Sequence, residues 1–302
     1  MSVRFELEVP ATSANLGPGY DSFGLALEIF DSLSLTLHDE PVDATACVRV
    51  TGESAAALPT DRTHLIMRVI AEVLASEYPL TPAGVVDRLS LDCTNRIPHS
   101  RGLGSSAAAI VAGIALAGEV GHHVGGPELS RERVLELATD REGHPDNAAP
   151  AIFGGLSISL SHPARSFRIP IGTVAEVTVL VPDVRLDTEI ARGVIPVSIE
   201  HEVAAENSAR AGLLVHGFSS DASVLMEATD DRLHQEFRRE AYPESMELVD
   251  ALRARGLPAV ISGAGPTVLV LADSVPAEVV PAAVEVIRTS IDLGGYRTRR
   301  IG

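Results

Sequence analysis

Two glycines and two serines stand together in the run Gly102-Leu103-Gly104-Ser105-Ser106, and small, helix-favouring residues follow from Ala107 to Ala117. Glycine reaches positive φ without a Cβ penalty and lets the backbone come close to a ligand. A helix opening at the serines leaves its first N–H groups unpaired and carries the positive end of its dipole. That combination binds anions, and phosphate is the usual one. No lysine follows the glycines, so the stretch is not a Walker-type loop. Arg101, Ser105 and Ser106 are the side chains here that offer charge or hydroxyls.

Two other readings compete. Gly102 to Ala107 also fits G-x-G-x-x-A, the dinucleotide fingerprint, but that motif needs its first glycine directly after a strand. Here Thr94 to Arg101, with Pro98 among them, separate the expected strand Leu89–Cys93 from Gly102, and no acidic residue closes a second strand about twenty residues on. A buried helix with a glycine-rich entry accounts for the apolar run but not for the paired glycines and serines. Phosphate binding explains both.

A second polar cluster, Glu142-Gly143-His144-Pro145-Asp146-Asn147, precedes the apolar stretch 148–156. Two carboxylates, an imidazole and an amide in six residues exceed the needs of a capped turn and suit a metal or substrate shelf. Asn15 and Asp21 sit in the turn-rich segment ATSANLGPGYDSFG, where taken alone each reads as a turn residue bonding its own backbone. His122 and His123 have no partner at ligand spacing and read as solvated connector residues.

The elements that must position these groups follow from periodicity. Alternation predicts a strand over Arg4–Val9 stopped by Pro10, and another over Leu25–Leu37. Thr63–Glu77 carries apolar residues at helical spacing and is ended by Pro79 and Pro82. Further helices are expected at Glu128–Asp140, His201–Phe218, Pro243–Arg255 and Val279–Ile291. Strands are expected at Leu156–Leu160, Val177–Val181, Ala259–Ile261, Val268–Leu271 and Tyr296–Ile301, whose Arg297, Arg299 and Arg300 read as a solvated edge. The alternation lacks strict βαβ regularity and indicates an α+β protein with layered sheets. A boundary falls near residue 155, giving domains 1–155 and 156–302.

A chain of 302 residues can bury a large core. Its formal charge of −17 opposes non-specific binding to nucleic acid or to an anionic membrane, both of which need basic fields. A bound phosphate must therefore be held by local geometry. Cys47 and Cys93 form neither a disulfide framework nor a metal pattern. With no apolar signal core at the start and no uninterrupted apolar run of membrane-spanning length, a cytoplasmic protein is expected.

Three phrases, PATSANLGPGYDSFGLAL, PHSRGLGSSAAA and ISGAGPTVLVL, occur in this order along the chain. Together they resemble the GHMP family of small-molecule kinases, which includes galactokinase, homoserine kinase, mevalonate kinase and phosphomevalonate kinase. EGHPDNAAPAIFGG and DRLHQEFR look closest to the homoserine kinase branch, and the resemblance runs over nearly the whole chain. It implies the two-domain GHMP fold, with a ribosomal-protein-S5-like N-terminal domain and a ferredoxin-like C-terminal α/β sandwich, and with ATP and acceptor in the cleft between them.

Residue by residue, the resemblance implies that Pro98, His99, Ser100, Arg101, Gly102, Leu103, Gly104, Ser105, Ser106, Ala107 and Ala108 wrap the triphosphate. Ser106 and Glu142 would hold Mg²⁺, which takes a few hard oxygens beside phosphate and water. For an acceptor such as L-homoserine, Asp21 with Asn15 would meet the ammonium, and Arg192 and Arg238 would clamp the carboxylate. His144 and Asn147 would line the pocket, and Gly263 and Gly265 would let the late loop approach it. Asp146 is a candidate base, beside a route in which the hydroxyl proton passes to the phosphate. His64-Leu65 departs from the Asn-Leu of many relatives and leaves the adenine-side contact open. Two rival functions stay open: a GHMP kinase for another hydroxyl acceptor, such as mevalonate or a sugar, and a nucleotide-binding relative without catalysis. Related kinases are often homodimers, which is all the sequence offers on assembly.

Overall fold

The computed structural model describes residues 2–184 and 193–301. Strands β1 (Val3–Ala14) and β2 (Phe23–Leu37) pair antiparallel at the centre of a seven-stranded sheet. Phe5, Leu7 and Val9 point into the core while Arg4, Glu6 and Glu8 alternate outward, the period of a strand with one covered face. β1 does not stop at Pro10. The register shifts between Pro10 and Ala11, a bulge that absorbs the missing proline N–H, and the strand runs on to Ala14. That extension brings Thr12 and Ser13 to Leu103 of the glycine loop and Ser262 of the late loop.

β3 (Val48–Gly52) lies at the sheet edge. Helix α1 (Leu65–Glu77) follows, then β4 (Leu89–Asn95), which pairs parallel with β3 and antiparallel with β2. Helix α2 (Ser105–His123) packs against α1 and β1. Among the described residues it alone is long and apolar enough to cross a membrane, yet 72% of its apolar window is buried. A helix apolar all round belongs inside a core, and α2 is the central one. It takes in His122 and His123 as its last turn, where the sequence suggested a connector.

Helix α3 (Arg131–Glu142) begins after Ser130, whose hydroxyl accepts from the Arg133 N–H and contributes about 1 kcal/mol as a cap. It ends at Gly143 in the left-handed conformation, which turns the chain into the polar cluster. Helix α4 (Ala148–Phe153) follows that cluster, and β5 (Leu156–Ser161) and β6 (Ala164–Ile169) extend the first sheet beyond β2.

The second layer contains β7 (Glu176–Pro182), helices α5 (His201–Ser219) and α6 (Pro243–Arg253), then β8 (Ala259–Ile261), β9 (Val268–Val270) and β10 (Val284–Ser290). Its sheet has the antiparallel order β10-β7-β9-β8. The helix expected at Val279–Ile291 is strand β10, paired with β7 from Val284–Pro182 to Ser290–Glu176. Pro281 blocks a helix there, and Val284, Val286, Ile287 and Thr289 are β-branched residues that suit an edge strand. β11 (Arg297–Ile301) returns to pair with β1. The first sheet thus keeps Leu156–Ile169 and recovers the C-terminal strand, so the sequence boundary at 155 is not a division between sheets.

The main core joins both layers. Val177 and Val179 of β7 and Leu214 and Phe218 of α5 belong to the same buried cluster as β1 and α2. Leu180 faces the other way, into a smaller cluster with Met246, Val249 and Leu252 of α6. Cys47 and Cys93 are buried free thiols, and burial pushes the Cys93 thiol up to about 12.

Candidate active site

Asp31 on β2 fixes the exit of β4. Its Oδ1 accepts from the Arg96 N–H at 2.6 Å and the Ile97 N–H at 2.9 Å. Burial raises this carboxyl above its ordinary range while the two N–H bonds pull it back. Beyond Ile97 the chain takes positive φ at Ser100, Gly102 and Gly104, with the intervening residues outside that region. Such alternation turns successive N–H groups toward one side and makes an anion-binding concavity. Gly104 then occupies the cap position of α2 at φ 68°, with no side-chain cap on the first helical N–H groups. A Cβ on Gly102 would lie 2.2 Å from the Ser262 carbonyl oxygen, and one on Gly104 would lie 2.0 Å from Thr12 Oγ1. Both glycines are therefore set by close approach as well as by φ.

The loop is thus locked onto the other two phrases of the sequence. Thr12 N–H donates to the Leu103 carbonyl at 3.1 Å, and Thr12 Oγ1 donates to Asn147 Oδ1 at 2.8 Å. Ser262 Oγ bonds Ser13 Oγ at 2.8 Å and the Gly102 carbonyl at 2.6 Å. Gly263 N–H donates to the Ala14 carbonyl at 3.0 Å. Leu103, Ala107 and Ala108 are buried and hold the loop by packing. Arg101 pairs with Asp183 at 2.9 Å and approaches Glu53 at 3.7 Å. Beside the loop opens a cavity of about 320 Å³, lined by Pro59, His64, Asn95, His99, Ser100, Ser105 and Ser106. His64 is buried there, its Nδ1 without a hydrogen-bond partner among the described residues, and burial and His99 keep its imidazole toward the neutral form.

The polar cluster meets the start of α2. Ser106 Oγ donates to Glu142 Oε1 at 2.8 Å, which brings together the two expected metal ligands. Asp146, fully buried, bonds His144 Nδ1 at 2.5 Å and accepts from the Asn147 N–H at 2.9 Å, both through Oδ1. Ligand atoms of Asp21, His144 and Asp146 lie within 4.8 Å of one another.

Asn15, in a left-handed conformation at the end of β1, donates from Nδ2 to the Gly263 carbonyl at 2.9 Å and accepts from the Asp21 N–H at 3.0 Å. Arg238, buried in the 3₁₀ turn Glu236–Ala241, reaches the same carbonyl at 3.4 Å. Its guanidinium lies 5.7 Å from the Tyr20 ring centre, and its Nη1 bonds His234 Nδ1 at 3.0 Å. Gly265 faces the Tyr242 ring, where a Cβ would meet it at 2.9 Å. Arg192 lies outside the described residues. Sequence reasoning missed Thr12, Tyr20 and His234. The last had a signal in the i, i+4 spacing of His234 and Arg238, which puts both on one face of a helical turn.

Residues 64–155 match the GHMP kinases N terminal domain, and residues 214–286 the GHMP kinases C terminal model. A homoserine kinase of Streptomyces avermitilis is 46% identical, with the match covering 90% of this chain and 87% of that one. The chain belongs to the homoserine kinases of the GHMP family. A homoserine kinase of Clavibacter michiganensis subsp. michiganensis is 45% identical over 89% of this chain and 82% of its own. The crystal structure of homoserine kinase from Cytophaga hutchinsonii superposes with a TM-score of 0.79 at 25% identity, covering 98% of this chain and 97% of that one. L. major mevalonate kinase shares the fold alone, at a TM-score of 0.62 and 14% identity over 94% of each chain.

Proposed function

We propose that the protein transfers the terminal phosphoryl group of ATP to the side-chain hydroxyl of L-homoserine, giving O-phospho-L-homoserine. The observation that carries this reading is the Gly263 carbonyl shared by Asn15 and Arg238, which joins the Asp21 loop to a buried guanidinium. An acceptor with both an ammonium and a carboxylate needs an anion and a bidentate cation in one pocket. Mevalonate has no ammonium to set against Asp21. The family resemblance gives Arg192 the second contact to the carboxylate.

The triphosphate lies along the Gly102–Ser106 backbone, and the nucleoside enters the cavity that holds His64. Ser106 and Glu142 suit Mg²⁺, because they offer two hard oxygens and leave the other positions to phosphate and water. Held by these two residues, the ion would supply neutralisation of phosphate charge during transfer. The chain itself supplies position: α2 holds the donor, and the Asn15–Asp21 turn with Arg238 orients the hydroxyl toward it. Among the described residues the three hydrogen bonds of Asp146, the third from Asn147 Nδ2 at 3.5 Å, all fall on Oδ1, which leaves Oδ2 for the hydroxyl proton. The other route passes that proton to the transferred phosphoryl oxygen. Near-normal kcat in Asp146→Asn would remove the residue from the base role.

Coupled ADP release with a panel of acceptors tests the assignment. The expected result is magnesium-dependent turnover with L-homoserine and none above background with mevalonate or galactose. Turnover with either of those instead would move the acceptor assignment, and ATP binding without ADP production would make the protein a non-catalytic relative.

A further inference from the structure

His234 is fully buried, and both of its ring nitrogens are engaged. Nε2 lies 2.9 Å from the Gly17 carbonyl oxygen, which can only accept, so Nε2 carries the proton. Nδ1 lies 3.0 Å from Arg238 Nη1, which can only donate, so Nδ1 is the bare, accepting nitrogen. The two contacts together specify one neutral tautomer. Gly17 sits in the turn between Asn15 and Asp21, the segment assigned to the acceptor's ammonium, and Arg238 is assigned to its carboxylate. The imidazole face is also closed by Tyr20, whose ring centre lies 5.3 Å away and which in turn lies beneath Arg238. Asp231 anchors the backbone of this segment, accepting from the N–H groups of Leu233, His234 and Gln235.

We propose that His234 is the positioning residue that sets the span between the ammonium and carboxylate ends of the acceptor pocket. It does so by donating to the loop that carries Asp21 and accepting from Arg238. It touches neither substrate nor nucleotide; it acts through the two groups that touch the acceptor. The proposal rests on the reading of Asp21 and Arg238 as the ends of a zwitterion site. It accounts for the burial of an imidazole at a place where an apolar side chain would fill the space but bond neither partner. A buried guanidinium without that acceptor would turn toward another carbonyl and leave the position in which it meets a carboxylate.

The test compares wild type with His234→Gln and His234→Asn. Glutamine can offer a donor near Nε2 and keep the Gly17 contact; asparagine can offer an acceptor near Nδ1 and keep the Arg238 contact. The loss of one hydrogen bond to a charged group is expected to raise KM for homoserine by about tenfold or more in His234→Gln, with KM for ATP changed by less than about twofold. His234→Asn, which retains the Arg238 acceptor, is expected to show the smaller rise. Equal changes in both KM values, or none in either variant, would overturn the proposal. Absence of homoserine turnover in the wild type would instead overturn the acceptor assignment.

Nitrogen NMR of the wild-type protein with labelled histidine tests the tie even if the variants fail to fold. A His234 imidazole protonated at Nε2 and bare at Nδ1 is expected; a proton on Nδ1 at neutral pH would contradict it.

Discussion

Glu142 and Ser106 are 36 positions apart in sequence and meet through one hydrogen bond of 2.8 Å at the first turn of α2. Their placement makes a sharp prediction. Glu142→Gln keeps the shape and the Ser106 partner but removes the negative charge. Its kcat is expected to fall on the order of a hundredfold, with part of the loss recovered by raising Mg²⁺. Initial rates across a magnesium titration check this, and a wild-type magnesium response in Glu142→Gln would remove the residue from the metal shelf. Other assignments at this scale were legible only with the family in view. Asp21 and Arg238, read alone, are a turn residue and a surface residue. The structure puts Arg238 at 1% exposure, because its guanidinium is covered by Tyr20 and His234 and held by the Gly263 carbonyl.

At the scale of elements, the glycine loop was the part most legible in the sequence, because its chemistry is local. Gly-x-Gly followed by serines and small residues fixes a left-handed cap and a helix start without reference to the rest of the chain. Gly104→Ala is expected to fail twice over. The added Cβ would strain a φ of 68° and would lie 2.0 Å from Thr12 Oγ1. Strain of this kind costs about 1–3 kcal/mol, so a lowered melting temperature is expected with an ATP KM raised by about tenfold or more. Unchanged nucleotide affinity in calorimetry would show that the cradle does not depend on this turn. The elements that were not legible are those decided by distant partners. Pro10 reads as a stop, but the pairing of β1 with β2 outweighs it through a bulge. Val279–Ile291 carries apolar residues at spacings that fit a helix, and the free edge of β7 takes it as a strand.

Across the whole molecule, the cleft depends on two layers that share one core and on a C-terminal strand that returns to the first sheet. Arg131, at the start of α3, fastens that return. Its guanidinium donates to the carbonyls of Ile152 at 2.5 Å, Gly294 at 3.1 Å and Tyr296 at 2.9 Å, and it lies 4.7 Å from the Tyr296 ring centre. Arg131→Ala leaves three carbonyls without this donor and is expected to lower the melting temperature by several degrees, about 2–4 °C for each kcal/mol lost. Substrate KM values at low temperature should stay near wild type, since no group of the site is touched. A melting temperature equal to wild type would show that the sheet pairing of β11 suffices. No local pattern announces this clasp, because its acceptors are backbone carbonyls more than 160 positions away for Gly294 and Tyr296. The formal charge of −17 acts at this scale too, since it opposes the approach of an anionic nucleotide and leaves local geometry to offset that repulsion.

The central claim is that one cleft holds a nucleotide on the α2 N-terminus and a zwitterion between Asp21 and Arg238. A crystal structure with a non-hydrolysable ATP analogue, Mg²⁺ and L-homoserine tests it most directly. The account predicts the triphosphate along Gly102–Ser106, the ammonium at Asp21, the carboxylate on Arg238 and the hydroxyl facing the terminal phosphate. Homoserine bound elsewhere, or bound with its carboxylate away from Arg238, would contradict it.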